Sequence, residues 1–326
     1  MNATTTTTTT ASSSTTAPAT TPPPARAAAS AGWLQLAEKG SAAGLWLMLG
    51  ICRLLGRRAA RLLLPAIVFY FVVTSAVARR ASRRYLRRMG LPAGFRAVFA
   101  HCLRFAHVTL DRVFWTLGQT FRFDIQRTGS ALLEGARRDG RGAVLIGAHL
   151  GSFEAMRAMA ERCAHPLNVV GYFNNARLIN GLLARFNRNL AVRVIPIEPG
   201  VDFVLRLKER IEAGELVALL GDRAGLTDRT VEVDFLGGKA PFPTGPYMLA
   251  AMLGCPVFLT FGLYREPNRY QLFCEPFAER VTLGRRSRQA DARAQAQRFA
   301  ERLEHYCRLA PDNWFNFYDF WTEPRA

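Results

Sequence analysis

No two of the six cysteines (Cys52, Cys102, Cys163, Cys255, Cys274, Cys307) form a CxxC pair, which removes the spacing of a zinc site or a disulfide framework and favours a reducing compartment. No basic n-region leads into an apolar h-region at the start, so residues 1–32 do not read as a signal peptide. Those residues also lack apolar periodicity. They hold a threonine run and then alanine, serine and proline, and nothing there offsets the entropy of ordering, so a disordered tail is predicted. Acidic residues are nearly missing from the first third: residues 1–112 hold 15 Lys/Arg against only Glu38 and Asp111. Of the net +18, +13 therefore falls in that segment, and the remaining two-thirds carries about +5. What the chain does have is a core: 49% hydrophobic and 11% aromatic residues over 326 positions exclude disorder of the whole and suit one large or two small domains.

The basic segment contains an uncharged run of 17 residues, 62–78, between Arg53, Arg57, Arg58 and Arg61 on one side and Arg79, Arg80, Arg83, Arg84, Arg87 and Arg88 on the other. A membrane span needs about 20 residues, and Pro65 is expected near the first turn, so the run reads as a marginal span or an interfacial helix. A second apolar stretch, 41–52, is too short to cross alone. Arginines beside an apolar helix are attracted to anionic headgroups, and all ten are read as membrane attachment. A buried core helix with solvated arginine ends is the other reading. Arginines on both sides leave orientation undecided by the positive-inside rule. No nucleic-acid motif accompanies the charge, so nucleic acid is not expected as a partner.

From about residue 118 short apolar runs alternate with amphipathic stretches, the pattern of an α/β domain. Strands are predicted over 143–147, 168–172, 192–196, 216–220, 231–235, 256–264 and 270–274, and helices over 153–163, 176–189, 201–213, 245–253 and 288–308. The predicted division is a tail (1–32), a basic apolar anchoring segment (33–112) and an α/β domain (113–326). Gly254 followed by Cys255-Pro256 closes one helix and opens the next strand.

The informative stretch is Gly142-Ala-Val-Leu-Ile-Gly-Ala-His149-Leu-Gly-Ser152-Phe-Glu154. A buried strand ends at Gly147 and a helix begins near Ser152, a good N-cap, so His149 lies in the strand-to-helix turn, at the edge where α/β sheets collect ligands. Glu154 falls in the first helical turn and is expected to fold back onto the imidazole, giving a base able to take a proton from an alcohol. Glu154 as a helix cap with His149 a satisfied loop residue is the other reading. The i, i+4 histidine pair of a zinc protease is absent, and Ser152-Phe-Glu154 breaks the G-x-S-x-G elbow of a serine hydrolase. His101, His107 and His165 are assigned no chemistry.

His149-Leu-Gly-Ser-Phe-Glu154 resembles the His-x4-Asp/Glu motif of the glycerolipid acyltransferases, in the form found in bacterial lipid A late acyltransferases. Further blocks follow in order: Asn174-Asn-Ala-Arg177-Leu-Ile-Asn180, then Gly221-Asp222-Arg223, then Val233-Asp-Phe235-Leu-Gly237-Gly with Phe242-Pro-Thr244-Gly245-Pro246. The ending Trp314-Phe-Asn-Phe-Tyr-Asp-Phe-Trp321 departs from the Trp-x-basic ending of the lipid A enzymes and looks more like a subgroup associated with aryl-polyene-type lipid synthesis. Ordinary aromatic packing is the simpler account of that stretch.

The resemblance implies an α/β fold with a mixed sheet flanked by helices, an N-terminal membrane-associated helical segment, and no metal or cofactor. It implies an acyl thioester donor on acyl carrier protein or coenzyme A and a lipid or glycolipid hydroxyl as acceptor. It puts His149 as base, Glu154 as its holder, and Arg177, Asn180, Asp222, Arg223, Phe235, Gly237, Thr244 and Gly245 in substrate binding. Gly151 and Ser152 N–H groups, or a nearby cation, are candidates for the oxyanion; a structural pair with Asp222 or Asp228 is the other reading of Arg223. The expected location is the bacterial inner membrane, with the catalytic domain on the cytoplasmic side. A thioesterase-like hydrolase and a non-catalytic membrane scaffold are the rival functions.

Overall fold

A computed structural model describes residues 42–162, 166–171, 192–198, 200–224 and 229–321. The predicted tail, the predicted helix 176–189, Arg177, Asn180 and Asp228 lie outside the described residues.

Four helices come first: α1 (Ala42–Leu54), α2 (Gly56–Thr74), α3 (Ala76–Arg88) and α4 (Phe95–Thr116). The apolar run is not one helix. It breaks at Ser75, and α2 and α3 meet at 96°; among the described residues no single helix is long and apolar enough to cross a membrane. Pro65 lies inside α2 instead of in its first turn, because the helix begins nine residues earlier, at Gly56. Nor is α2 a core helix. Ala60, Leu64, Val68 and Val72 form an i, i+4 stripe that is buried, while Leu62 (81% exposed), Leu63, Ile67, Phe69, Tyr70 (67%) and Val73 face outward.

The arginines divide in the same way. Arg57 forms a two-point ion pair with Asp111 (2.7 and 2.8 Å), to which Tyr270 also donates at 2.8 Å. Arg61 pairs with Glu266 at 3.1 Å, Arg84 with Asp319, and Arg88 donates to the Leu236 carbonyl and lies over the Trp321 ring. Arg79 donates to the carbonyls of Val72 and Val73 at the corner. The reading of all ten as headgroup contacts is therefore corrected: these five are turned inward and dock the helices, whereas Arg58, Arg80 and Arg87 are exposed. Buried residues of α2 to α4, among them Val72, Tyr85 and Val98, join the same core as the sheet.

The rest is an α/β arrangement: β1 (Asp124–Thr128), α5 (Ser130–Arg138), β2 (Ala143–Gly147), α6 (Phe153–Arg162), β3 (Leu167–Gly171), β4 (Val192–Pro196), α7 (Val201–Glu212), β5 (Leu216–Leu220), β6 (Thr230–Phe235), β7 (Gly238–Pro243), α8 (Gly245–Leu253), β8 (Val257–Arg265), β9 (Arg269–Ala278) and α9 (Arg288–Leu309). Seven strands form a mixed sheet in the order β1-β9-β8-β2-β5-β3-β4, parallel throughout except for the β8–β9 hairpin. β2 is buried at all five positions, as a central parallel strand with both faces covered must be. α7 buries Phe203, Leu207 and Ile211, again at i, i+4 spacing. β6 and β7 make a separate two-stranded ribbon whose tight turn, Leu236-Gly237, has positive φ at both residues. Strands β1 and β7 were not predicted. β1 alternates exposed and half-buried residues at the sheet edge, and β7 contains two prolines, so neither carries the apolar run of a strand.

Candidate active site

β2 and β5 are parallel neighbours, with Gly147 opposite Leu220 in the register. His149 stands two residues beyond Gly147 and Asp222 two beyond Leu220, so equal offsets from paired positions bring them together at the C-terminal edge of the sheet. The link Gly221 N–H to Gly147 carbonyl (2.8 Å) continues the ladder past the strand ends. Gly221 is glycine for want of space: a Cβ there would lie 2.8 Å from Ile146 Cγ2 and 3.1 Å from the Phe299 ring.

Asp222 is fully buried and surrounded by donors. Its Oδ1 accepts from His149 Nδ1 at 2.8 Å. Its Oδ2 accepts from the His149 backbone N–H (3.1 Å), Trp314 Nε1 (3.3 Å) and Asn316 Nδ2 (3.1 Å). Burial by itself would raise this carboxyl, but the His149 ring and the Arg223 guanidinium outweigh it and hold it at about 2. An ionised carboxylate only accepts, so Nδ1 carries the proton and the lone pair is on Nε2. Burial, with Arg223 adding to it, lowers His149 below its usual 6.5 against the opposing pull of Asp222. The ring is thus neutral near pH 7, and 27% of the side chain is exposed. This is the electronic state a general base requires.

The C-terminal strap, residues 313–321, forms the wall behind the turn. Leu150 and Trp314 form an antiparallel bridge, Phe315 N–H donates to the His149 carbonyl (2.9 Å), and Gly151 N–H donates to the Asn313 carbonyl (2.8 Å). On the other side Ser152 N–H donates to the Gly262 carbonyl of β8 at 2.8 Å. Gly151 has φ +67°, and a Cβ on it would come within 1.9 Å of the Gly262 oxygen, so the turn admits no side chain there. Both N–H groups put forward as oxyanion donors are spent inside the fold. That expectation is corrected, because a donor already bonded to a backbone carbonyl is not preorganised for a transition state.

The ring's carboxylate partner is likewise different from the one expected. Glu154 sits in the first turn of α6, half-buried, and bonds to Arg112 of α4 and to Ser152 Oγ at 3.5 Å. It is Asp222 that bonds the imidazole. Ser152 Oγ itself accepts from Ala155 N–H at 3.1 Å, as an N-cap does.

Arg223 donates through Nε to Asn316 Oδ1 (2.5 Å) and through Nη2 to the Phe315 carbonyl (2.8 Å), with Tyr318 under its guanidinium. Phe235 is buried and stands edge-on to Trp314, the residue that reaches Asp222. Gly237 serves the β6–β7 turn, Thr244 bonds through Oγ1 to the Arg229 carbonyl (3.1 Å), and Gly245 begins α8. The structure therefore gathers His149, Asp222, Arg223 and Phe235 around one centre, with Ser152 and Glu154 on its α6 side; for the other three the contacts described are conformational. Trp314 and Asn316 were missed as site residues. Their signal was the polar asparagine in an aromatic run, which packing alone does not call for.

A neutral imidazole held by a buried carboxylate at the C-terminal edge of the parallel strands β2 and β5 has the electronic state to accept a proton. Residues 113–323 match the family model of the bacterial lipid A biosynthesis acyltransferases, and the chain belongs to that family. It is accordingly an acyltransferase whose acceptor is a lipid. Comparison with curated proteins returns no match.

Proposed function

We propose that the protein transfers a fatty acyl group from an acyl thioester, on acyl carrier protein or coenzyme A, to a hydroxyl of a lipid or glycolipid. His149 Nε2 takes the hydroxyl proton, and the acceptor oxygen bonds to the thioester carbonyl carbon. The tetrahedral intermediate then collapses with cleavage of the C–S bond, and the departing sulfur takes the proton back from His149. Asp222 keeps the ring in the required tautomer and stabilises the imidazolium while it exists. The observation that carries this reading is the 2.8 Å bond between His149 Nδ1 and the buried Asp222.

Glu154, held by Arg112, and Arg223 are assigned to orienting the two substrates, and Arg177 and Asn180 keep the substrate-binding role that the family resemblance implies; guanidinium groups suit phosphate and other anionic head groups. The strap's ending, which carries the resemblance to the aryl-polyene-associated subgroup, supports an acceptor other than lipid A. The exposed apolar face of α2 and the exposed Arg58, Arg80 and Arg87 support attachment to an anionic membrane surface, and the bacterial inner membrane, with the catalytic domain toward the cytoplasm, is the location assigned on the family resemblance.

The test is transfer of label from radiolabelled acyl carrier protein thioester to total bacterial lipid by wild type and His149→Ala. Labelled lipid from wild type alone is expected. Equal labelled lipid from both would remove His149 from the reaction, and release of free fatty acid without a new lipid would make the protein a hydrolase.

A further inference from the structure

Asn316 is a single neutral side chain between a buried carboxylate, Asp222, and the half-buried guanidinium of Arg223. It is 2% exposed, and both ends of its amide are bonded: Nδ2 donates to Asp222 Oδ2 at 3.1 Å, and Oδ1 accepts from Arg223 Nε at 2.5 Å. The amide dipole is aligned with the charges at both ends, carbonyl toward the guanidinium and N–H toward the carboxylate. Arg223 thereby gains an acceptor that is not one of the two Asp222 oxygens, and Oδ1 of Asp222 remains on His149. A packing residue in an aromatic run has no need of an amide, and burying one is costly unless both its ends are bonded.

We propose that Asn316 is a positioning residue that relays the charge of Arg223 to Asp222 and so sets how strongly Asp222 holds His149. This rests on His149 being the general base. Other titratable and charged groups around the site are Tyr318 of the strap, Tyr247 of α8, Cys307 of α9, and Glu154 with Arg112 on the α6 side. Asn316 bonds to both Asp222 and Arg223.

The experiment follows the His149 titration by NMR in the full-length protein with ring-labelled histidine, beside the pH dependence of kcat, for wild type, Asn316→Asp and Asn316→Ala. Asn316→Asp keeps the acceptor for Arg223 but replaces the donor to Asp222 with a second carboxylate. The His149 midpoint and the acid limb of kcat should then rise together by about one pH unit, with KM for the thioester unchanged. Asn316→Ala removes both bonds in a smaller side chain and should shift the midpoint the same way, with kcat about tenfold lower. A midpoint that stays at the wild-type value in both variants would make Asn316 a packing residue and overturn the proposal, whatever happens to stability. A midpoint that moves while the kcat profile stays in place would support the relay and instead remove His149 from the role of base.

Discussion

Replacing Asp222 by asparagine changes one oxygen to an amide nitrogen and leaves the volume alone, so the outcome depends on which way the new amide points. The Oδ2 position receives three donors, His149 N–H, Trp314 Nε1 and Asn316 Nδ2, while Oδ1 receives only His149 Nδ1. At about 1 kcal/mol per hydrogen bond, keeping the carbonyl at the three-donor position is preferred by roughly 2 kcal/mol. The amide nitrogen then faces His149, Nδ1 must become an acceptor, and the imidazole proton moves to Nε2, where the base needs a lone pair. Together with the lost stabilisation of the imidazolium, kcat should fall on the order of 10³ to 10⁴, about 4 to 5.5 kcal/mol of barrier. KM for the thioester should change little, since nothing in the substitution touches a binding face. The assay is acyl transfer by purified enzyme in lipid micelles, with near-UV circular dichroism to show a native fold and histidine ¹⁵N NMR to report the tautomer. Glu154→Gln is the comparator and should cost less, because Glu154 bonds Arg112 and Ser152. A loss under about tenfold for Asp222→Asn, or a larger loss for Glu154→Gln, would refute the assignment of Asp222 as holder of the ring.

Three further outcomes are expected. His101 is buried between Ser82 Oγ (2.9 Å) and the Trp314 carbonyl (3.0 Å), and burial lowers its pKa to about 4. Its folded value is depressed, so its contribution is complete above the unfolded value near 6.5 and is lost as pH falls toward 4, on the order of 3 kcal/mol. Urea unfolding from pH 7 to 4 should show this slope, and it should be shallower in His101→Gln. Asp111→Ala leaves Arg57 without its two-point partner and Tyr270 without an acceptor, and should lower stability by about 3 to 5 kcal/mol, measured as a shift in the urea midpoint. Leu62→Glu combined with Ile67→Glu alters only exposed positions of α2, so the fold should persist while sedimentation with anionic vesicles drops at least tenfold; unchanged sedimentation would remove α2 as the membrane face.

Much of the sheet was readable because its signal is local. Residues 143–147 and 216–220 are apolar runs bounded by glycine, 192–196 ends at Pro196, and all three form strands at those bounds. The helix at 245–253 is bracketed by Pro246 and Gly254, and backbone restrictions act within a residue or two. His149 was legible for the same reason, since a strand-to-helix turn places it at the sheet edge whatever the rest of the chain does. Its partner was not. Glu154 is close in sequence but its helical turn lies toward Arg112, whereas Asp222 is 73 residues away and arrives through strand register. Periodicity cannot rank which strand lies beside which; hydrogen-bonded pairing across the sheet does that.

The N-terminal arginines make the same point. Their number and their place around an apolar run are properties of the sequence, and the exposed half of α2 agrees with them. That Arg57, Arg61 and Arg84 turn inward was decided by Asp111, Glu266 and Asp319, each more than 40 residues away. The sequence by itself determined the strands that carry an apolar run, the turn that holds His149 and the basic apolar character of the first helices, because each depends on neighbours a few residues apart. Only the tertiary structure decided that Asp222 holds the imidazole, that the strap from Asn313 to Trp321 closes the site, and that the Gly151 and Ser152 N–H groups are already spent, because those are choices among distant partners for the same few hydrogen-bonding groups.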